Sequence, residues 1–193
     1  MHLARVIALL AALFSGATGG AEKPAAAPPA FTFTDSTGHP CTPLAIEAGS
    51  KATVLIFLMA DCPVANATAP ALARLVEEFA PQGIRFHGIY ATETDAEIEK
   101  HRRSHGLTFP CLRDPRCRLA RHAGATRVPE SVVFSPAGVL LYRGRIDDRA
   151  IRPGLTRPVP QREDLRLALT AVLAGRAPGH KFAPAIGCHL PLE

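Results

Sequence analysis

The sequence predicts a single α/β domain in which helices flank a central mixed sheet, with an N-terminal hairpin and a C-terminal tail. Three observations predict it. The apolar, β-branched run at 52–60 is typical of a strand buried on both faces. A helical pattern at 63–79 leads to a second strand at 84–90, and strands joined by a helix lie parallel. The strands at 128–134 and 139–142 are joined by a short turn and form an antiparallel hairpin.

Local signals place the remaining elements. Alternating residues and a turn at 31–38 predict the N-terminal hairpin. Helices are predicted at 95–105 and 114–122, each capped by its first-residue aspartate. A charged, Pro-rich segment at about 143–160 precedes a last helix at about 162–174.

The ends of the chain have a different character from the middle. Residues 1–21 combine an early positive charge, a short apolar run and small residues, which predicts a cleaved signal peptide and export to the periplasm or the extracellular space. The apolar run is shorter than the roughly 20 residues that span a bilayer, so the cleaved protein should not span a membrane. We therefore expect a Pro/Ala linker at 22–30, the folded domain at 31–175 and a tail at 176–193 that carries Cys188.

The composition excludes some classes of partner. Apolar residues make up 47% of the chain and charged residues 20%, as in an ordinary globular protein. The formal net charge is +5, but the arginines alternate with acids, as at 163–166. This pattern favours a solvated mixed surface and no nucleic-acid partner.

Cysteines are the main candidates for chemistry. There are five, at positions 41, 62, 111, 117 and 188, and an odd number leaves at least one thiol unpaired within the chain. Cys62 directly follows the buried strand and opens the first long helix, whose positive end favours a thiolate. We expect its sulfur to be open to solvent. The neighbouring Asp61 should oppose thiolate formation.

Several motifs carry a family resemblance over about residues 31–174. The chain resembles the thioredoxin-like redoxins, which include thiol oxidoreductases and the peroxiredoxins of the alkyl-hydroperoxide-reductase and thiol-specific-antioxidant type, and within them an exported bacterial subgroup with a single active-site cysteine. The matching residues are Asp35–Gly38, Phe57–Pro63, Pro70, Phe109–Pro110, Asp114–Pro115, Gly124–Thr126, Val128–Glu130, Tyr142–Arg149 and Ile186–Cys188.

The resemblance implies a thioredoxin-like fold with Cys62 as the attacking thiol. It also implies a cis peptide bond between Val128 and Pro129, with Pro129 shaping the pocket beside the cysteine. Asp61, Pro63 and Asn66 would support the same site.

Three departures from the family pattern bear on activity. Ala65 stands where a Cys-x-x-Cys motif has its second cysteine. Met59 stands where peroxidases have a hydroxyl that polarises the peroxide, and Leu55 stands where they have a proline. Asn66 occupies the second cysteine position of the Cys-x-x-x-Cys copper chaperones.

A second thiol is needed to release a mixed disulfide. Cys188 lies in a tail that is long enough to reach back across the domain, so we predict that it pairs with Cys62, either as a redox couple or as a static link. Cys111 and Cys117 are six residues apart, which favours a local structural disulfide over a second redox pair. The sequence assigns no role to Cys41.

The sequence therefore predicts an exported thiol-disulfide oxidoreductase that uses protein or small-molecule thiols and disulfides, with no cofactor and no metal. One alternative is a one-cysteine antioxidant peroxidase. Another is a non-enzymatic module that binds a partner or copper(I) through Cys62, Cys188 and His189, and a third is a scaffold without activity. His101 and His105 are interpreted as a solvated helix face.

Overall fold

The computed structural model describes residues 31–192; the predicted signal peptide and linker lie outside them. Within this range there are four α-helices and twelve strands, most of them short. No helix of this range is long and apolar enough to cross a membrane. In chain order the elements are β1 (Phe33–Thr34), β2 (Pro40–Cys41), β3 (Ala52–Leu58), α1 (Pro63–Phe79), β4 (Ile84–Tyr90), α2 (Asp95–Ser104), β5 (Cys111–Arg113), α3 (Arg118–Ala123), β6 (Arg127–Val128), β7 (Glu130–Phe134), β8 (Leu140–Gly144), β9 (Ala150–Arg152), β10 (Leu155–Thr156), α4 (Asp164–Leu173), β11 (Phe182–Ala183) and β12 (Cys188–His189).

The largest sheet has six strands in the order β11–β8–β7–β3–β4–β5. β3 pairs with β4 in parallel along its whole length, from Ala52 opposite Ile84 to Leu58 opposite Tyr90. On its other side β3 pairs antiparallel with β7, which in turn pairs antiparallel with β8. The predicted mixed sheet is therefore confirmed, as is the N-terminal hairpin, formed by β1 and β2.

The core is centred on β3, since all seven of its residues are buried. Helix α1 buries Leu72, Leu75 and Phe79 on the face predicted from their spacing. Burying one such side chain contributes about 1.5–3 kcal/mol. This packing fixes the first turn of α1 just beyond the end of β3, which is where the candidate site lies.

The N-terminal ends of two helices differ from the prediction: α2 begins at Asp95 as predicted but has another N-cap residue, and α3 begins later than predicted. The N-cap of α2 is Thr94, which forms a capping box with Glu97. α3 begins only at Arg118, because the carboxylate of Asp114, 2% exposed, reaches forward and accepts hydrogen bonds from the N–H groups of residues 118, 119 and 120. A side chain four residues upstream caps the helix, so the predicted start at Asp114 is wrong.

The segment at 143–160 contains a small antiparallel sheet formed by β9 and β10. Three of its arginines are paired with buried aspartates. The pairs are Arg145 with Asp164 at 2.6 Å, Arg149 with Asp147 at 2.8 Å and Arg157 with Asp148 at 2.7 Å. These arginines therefore neutralise the aspartates beneath them.

The tail contains two strands that the sequence pattern did not predict. β11 adds to the edge of the central sheet, parallel to β8. β12 pairs antiparallel with β6 in a separate two-stranded sheet. Both strands are held by backbone pairing with the domain. Each has only two residues, which is too short to show an alternation of apolar and polar residues in the sequence.

His87 is buried in the middle of β4, opposite Leu55 of β3, and is only 4% exposed. Its Nδ1 atom has no hydrogen-bond partner among the described residues. Burial, and secondarily the charge of Arg85, lower the pKa of His87 to about 4. The folded protein therefore keeps this imidazole neutral at pH values where an unfolded chain would protonate it.

We expect the free energy of unfolding to fall as the pH is lowered from about 6.5 to about 4. Across this window the unfolded chain binds a proton at His87 and the folded chain does not, so stability is lost as the pH falls. At 1.36 kcal/mol per unit of pKa difference, the loss is about 3 kcal/mol. Urea denaturation at several pH values across the window measures it.

A His87→Leu variant should show a flatter pH dependence of stability than the unmodified protein. His180 is exposed, so His180→Leu is the matched control and should leave the slope unchanged. Identical slopes for His87→Leu and the unmodified chain would contradict this assignment.

Candidate active site

Cys62 lies between the end of β3 and the first turn of α1, as predicted. It is the N-cap residue of this 17-residue helix, and Pro63 takes the first helical position, where a missing N–H group costs nothing. The carbonyl of Cys62 accepts a helical hydrogen bond from the N–H of Asn66 at 3.0 Å. The sulfur is thus at the positive end of the helix dipole, which stabilises a thiolate.

The Cys62 sulfur is not open to solvent, so that expectation is wrong. The residue is 1% exposed. Two groups cover the sulfur: Cys188 Sγ lies 2.8 Å away, and the thiol donates to the carbonyl oxygen of Val128 at 3.5 Å. Cys62 is therefore covered by the tail and by the bend that precedes Pro129.

Backbone pairing places Cys188 at this point. Cys188 lies opposite Val128 in the antiparallel pair of β12 with β6. The peptide bond between Val128 and Pro129 is cis, as the resemblance implies. A Cβ atom added at Gly187 would overlap the Val128 carbonyl oxygen and lie 3.2 Å from Pro129 Cδ. Only glycine at position 187 lets the tail approach so closely.

Three hydrogen bonds hold residues 190–192 of the tail on the domain, and all of them use the backbone of the tail. They run from Leu190 N–H to the Thr126 carbonyl at 3.1 Å, from Cys117 Sγ to the Pro191 carbonyl at 3.2 Å, and from Arg121 Nη1 to the Leu192 carbonyl at 3.0 Å. The side chain of Leu190 is also buried in the core. The tail is therefore docked on both sides of its cysteine.

The environment of Cys188 raises the pKa of its thiol to about 11. The largest cause is the hydrogen bond to Cys62 Sγ, followed by burial and by the negative charges of Cys62 and Asp61. In this arrangement Cys188 is protonated at neutral pH and donates its S–H to Cys62 Sγ. Asp61, which is exposed, thus opposes ionisation at Cys188.

A buried polar network fixes the loop before Cys62. The Ala60 carbonyl accepts a hydrogen bond from Asn66 Nδ2 at 3.0 Å, and the Ala60 N–H donates to Glu93 Oε1 at 2.7 Å. Asn66 Oδ1 lies 2.7 Å from His101 Nε2, and His101 Nδ1 lies 2.8 Å from the Tyr90 hydroxyl. Both backbone groups of Ala60 are therefore satisfied by side chains from other elements.

This network corrects the interpretation of His101 as part of a solvated face. His101 is 5% exposed, and burial is the largest cause that lowers its pKa. The neutral ring donates from Nε2 to Asn66 and accepts at Nδ1 from Tyr90. The spacing of Ile98 and His101, three residues apart on the buried face of α2, is the signal that could have indicated burial.

All five cysteines are free thiols in this structure. Cys111 donates to the Phe109 carbonyl at 3.6 Å, and burial raises its pKa to about 12. Cys117 instead contacts the tail at Pro191. The local disulfide favoured by the spacing of Cys111 and Cys117 is not formed here, because the two sulfurs have different partners. Cys41 lies in β2 and is partly buried.

A cavity of about 540 Å³ opens beside Cys188 and Pro129. One wall is the first turns of α1, and the other is the segment that carries β9 and β10. Most of its lining is apolar, and prolines occur on several sides. The lining residues are Pro63, Val64, Ala67, Thr68, Pro129, Arg145, Ile146, Asp147, Arg149, Ala150, Pro153, Gly154, Thr156, Arg157, Pro158, Ile186, Gly187 and Cys188.

His189 does not join Cys62 and Cys188 in a copper site. His189 is exposed and its ring contacts the guanidinium of Arg127. It follows Cys188 in β12, and neighbouring residues of a strand point to opposite faces. Among residues 31–192 no group of three or more His, Cys, Asp or Glu side chains could hold a metal ion.

Comparison with known proteins identifies the relatives of the chain. The profile of the AhpC/TSA family matches residues 24–143. No curated protein matches the chain. The matched range includes Cys62 and Pro129, whereas Cys188 and most of the outer cavity wall lie beyond it.

Several solved structures are similar to this one. An uncharacterized conserved protein from Geobacillus kaustophilus is 28% identical, with a TM-score of 0.74 over 86% of this chain and 90% of that one. A hypothetical protein from Sinorhizobium meliloti 1021 is 27% identical, with a TM-score of 0.75 over 90% and 97%. A secreted Mycobacterium tuberculosis disulfide oxidoreductase homologous to E. coli DsbE is 20% identical, with a TM-score of 0.53 over 76% and 96%. The fold is thioredoxin-like.

Replacing Gly187 by alanine should detach the tail from Cys62. The added methyl group would overlap the backbone of Val128, so β12 cannot keep its pairing with β6. If the docking of the tail is weakened by about 1.4 kcal/mol, the fraction of molecules with an undocked tail rises about tenfold. We expect alkylation of Cys62 by iodoacetamide, followed by peptide mass spectrometry, to accelerate by at least that factor.

Gly179→Ala is the matched control, because an added Cβ there meets no atom within 4 Å. It should leave the alkylation rate of Cys62 unchanged. Equal rates for both variants and the unmodified protein would contradict the view that the tail covers Cys62.

Proposed function

Because the chain belongs to the AhpC/TSA family, we propose that it is an exported thiol-disulfide oxidoreductase whose redox pair is Cys62 and Cys188. The observation that carries the proposal is the 2.8 Å separation of the two sulfur atoms beside the cis bond of Pro129. A disulfide requires about 2.05 Å between sulfurs, so only a small movement separates the dithiol from the disulfide.

The proposed reaction is exchange between this dithiol and a partner disulfide. The two thiols lose two electrons and two protons and become a disulfide, and the partner disulfide becomes two thiols. Cys188 supplies the second thiol that a Cys-x-x-Cys motif would carry at position 65. The tail therefore completes a site that the AhpC/TSA match leaves with one cysteine.

Two features of the fold support exchange at this pair. The N-terminus of α1 stabilises negative charge on Cys62 while the disulfide forms or breaks. The hydrogen bonds of Asn66 and Glu93 to Ala60 hold the preceding loop, so the sulfur keeps its position relative to β6 and Pro129.

Export is supported by the first 21 residues and by one similar structure. The apolar run and small residues near the N-terminus are typical of a signal peptide. One similar structure is of a secreted disulfide oxidoreductase. An oxidising compartment would also allow the Cys62–Cys188 disulfide to persist.

The peroxidase alternative has less support. A peroxide would have to reach Cys62, which is 1% exposed beneath the tail. Met59 stands where a hydroxyl group would polarise the peroxide. Exchange of disulfides, in which the tail cysteine takes part, agrees better with the geometry.

Replacing either cysteine should abolish catalytic turnover. We expect Cys62→Ser and Cys188→Ser to lose the reduction of insulin disulfides by dithiothreitol, because each variant lacks one half of the pair. The turbidity of precipitating insulin measures the rate.

Cys41→Ser is the control, since this thiol lies in β2 and is not paired with Cys62 or Cys188. It should retain the rate of the unmodified protein. Full activity in Cys188→Ser would overturn the proposed pair.

A further inference from the structure

We propose that an external disulfide reacts first at Cys188, which it reaches through the cavity, and that Cys62 is the internal thiol that completes the exchange. This inference rests on the proposed function. It reverses the order expected from the sequence, in which Cys62 attacks and Cys188 resolves.

Access is the first argument. Cys62 is 1% exposed and is not among the residues that line the cavity. Cys188 is partly exposed and does line it. A partner sulfur in the cavity therefore meets Cys188 Sγ before it can meet Cys62 Sγ, which lies behind it.

The position of Cys62 suits the second step. In the first step, Cys188 loses its proton to the solvent, and the resulting thiolate attacks one sulfur of the partner disulfide; a new S–S bond forms, the partner S–S bond breaks, and the partner thiolate that leaves takes up a proton. Cys62 Sγ, 2.8 Å from Cys188 Sγ, then attacks that atom. The mixed disulfide breaks, the Cys62–Cys188 bond forms, and the second partner thiol leaves with the proton of Cys62.

The reverse reaction follows the same path and favours the same order. An incoming thiolate attacks one sulfur of the Cys62–Cys188 disulfide and expels the other, and the more stable thiolate leaves faster. Cys62 lies at the N-terminus of α1, which stabilises the departing charge.

The cavity indicates the class of partner. Its lining is mostly apolar, and its arginines are paired with Asp147, Asp148 and Asp164. A small hydrophilic disulfide would leave this lining uncovered. We therefore assign the cavity to a polypeptide segment with apolar side chains next to its disulfide-bonded cysteine.

The test follows the mixed disulfide with a defined probe, the disulfide-linked dimer of the peptide Leu-Val-Cys-Leu-Ala. Cys62→Ser should capture one peptide on Cys188 and stall, because no second thiol releases it. Cys188→Ser should lose peptide capture. Acid quenching and mass spectrometry locate the peptide, since each of the five cysteines falls in a different tryptic fragment.

Failure of the proposed order of attack and failure of the proposed redox pair would give different results. Peptide captured on Cys62 in Cys188→Ser, with none captured in Cys62→Ser, would overturn the order proposed here and leave the redox pair intact. No capture in either variant, together with no oxidation of the unmodified protein by the probe, would overturn both.

A further variant tests whether the partner peptide binds in the cavity. Ala67 lines the cavity on an exposed position of α1, so Ala67→Phe should slow capture of the peptide on Cys188 by at least about tenfold. Ala96→Phe makes the same enlargement on an exposed position of α2 outside the cavity and should not slow it. Equal effects of the two variants, or glutathione disulfide reacting as fast as the apolar peptide, would overturn the assignment of the cavity.

Discussion

The proposed chemistry of this protein depends on the antiparallel pairing of two residues of the tail with the two residues before Pro129. Cys188 lies opposite Val128 in this pairing, and the register brings its sulfur within 2.8 Å of a cysteine 126 residues earlier in the chain. A shift of one residue would turn Cys188 to the other face and replace it by His189. Gly187 protects the register because no larger residue fits against Val128.

A Cys-x-x-Cys motif supplies both thiols from a single helix turn, whereas here the two thiols come from different parts of the chain. The helix supplies one thiol at its positive end, held by the loop that Asn66 and Glu93 brace. The tail supplies the other, together with one side of the cavity. Because the second thiol is on a docked strand, the strength of docking controls access to the first. The buried thiol and the partly exposed thiol then take different parts in the proposed exchange.

The sequence predicts the fold well because the core elements have strong local signals. The apolar run of β3 and the apolar face of α1 identify the sheet, the helix and the position of Cys62 between them. The structure places Cys188 Sγ 2.8 Å from Cys62 Sγ, and the pairing of the two thiols stays a prediction. The register of β12 was not predictable, since strands of two residues carry no periodicity. The burial of Cys62 and the network of His101 also depend on long-range contacts, which local patterns do not encode.

The most direct test of the redox pair is to equilibrate the protein with glutathione buffers of graded potential and to map every thiol by alkylation and mass spectrometry. We expect a Cys62–Cys188 disulfide to form and to be reduced reversibly as a single two-electron couple, while Cys41, Cys111 and Cys117 are alkylated as thiols throughout. Cys62 that stays a free thiol at every potential, or that pairs with one of these three, would contradict it.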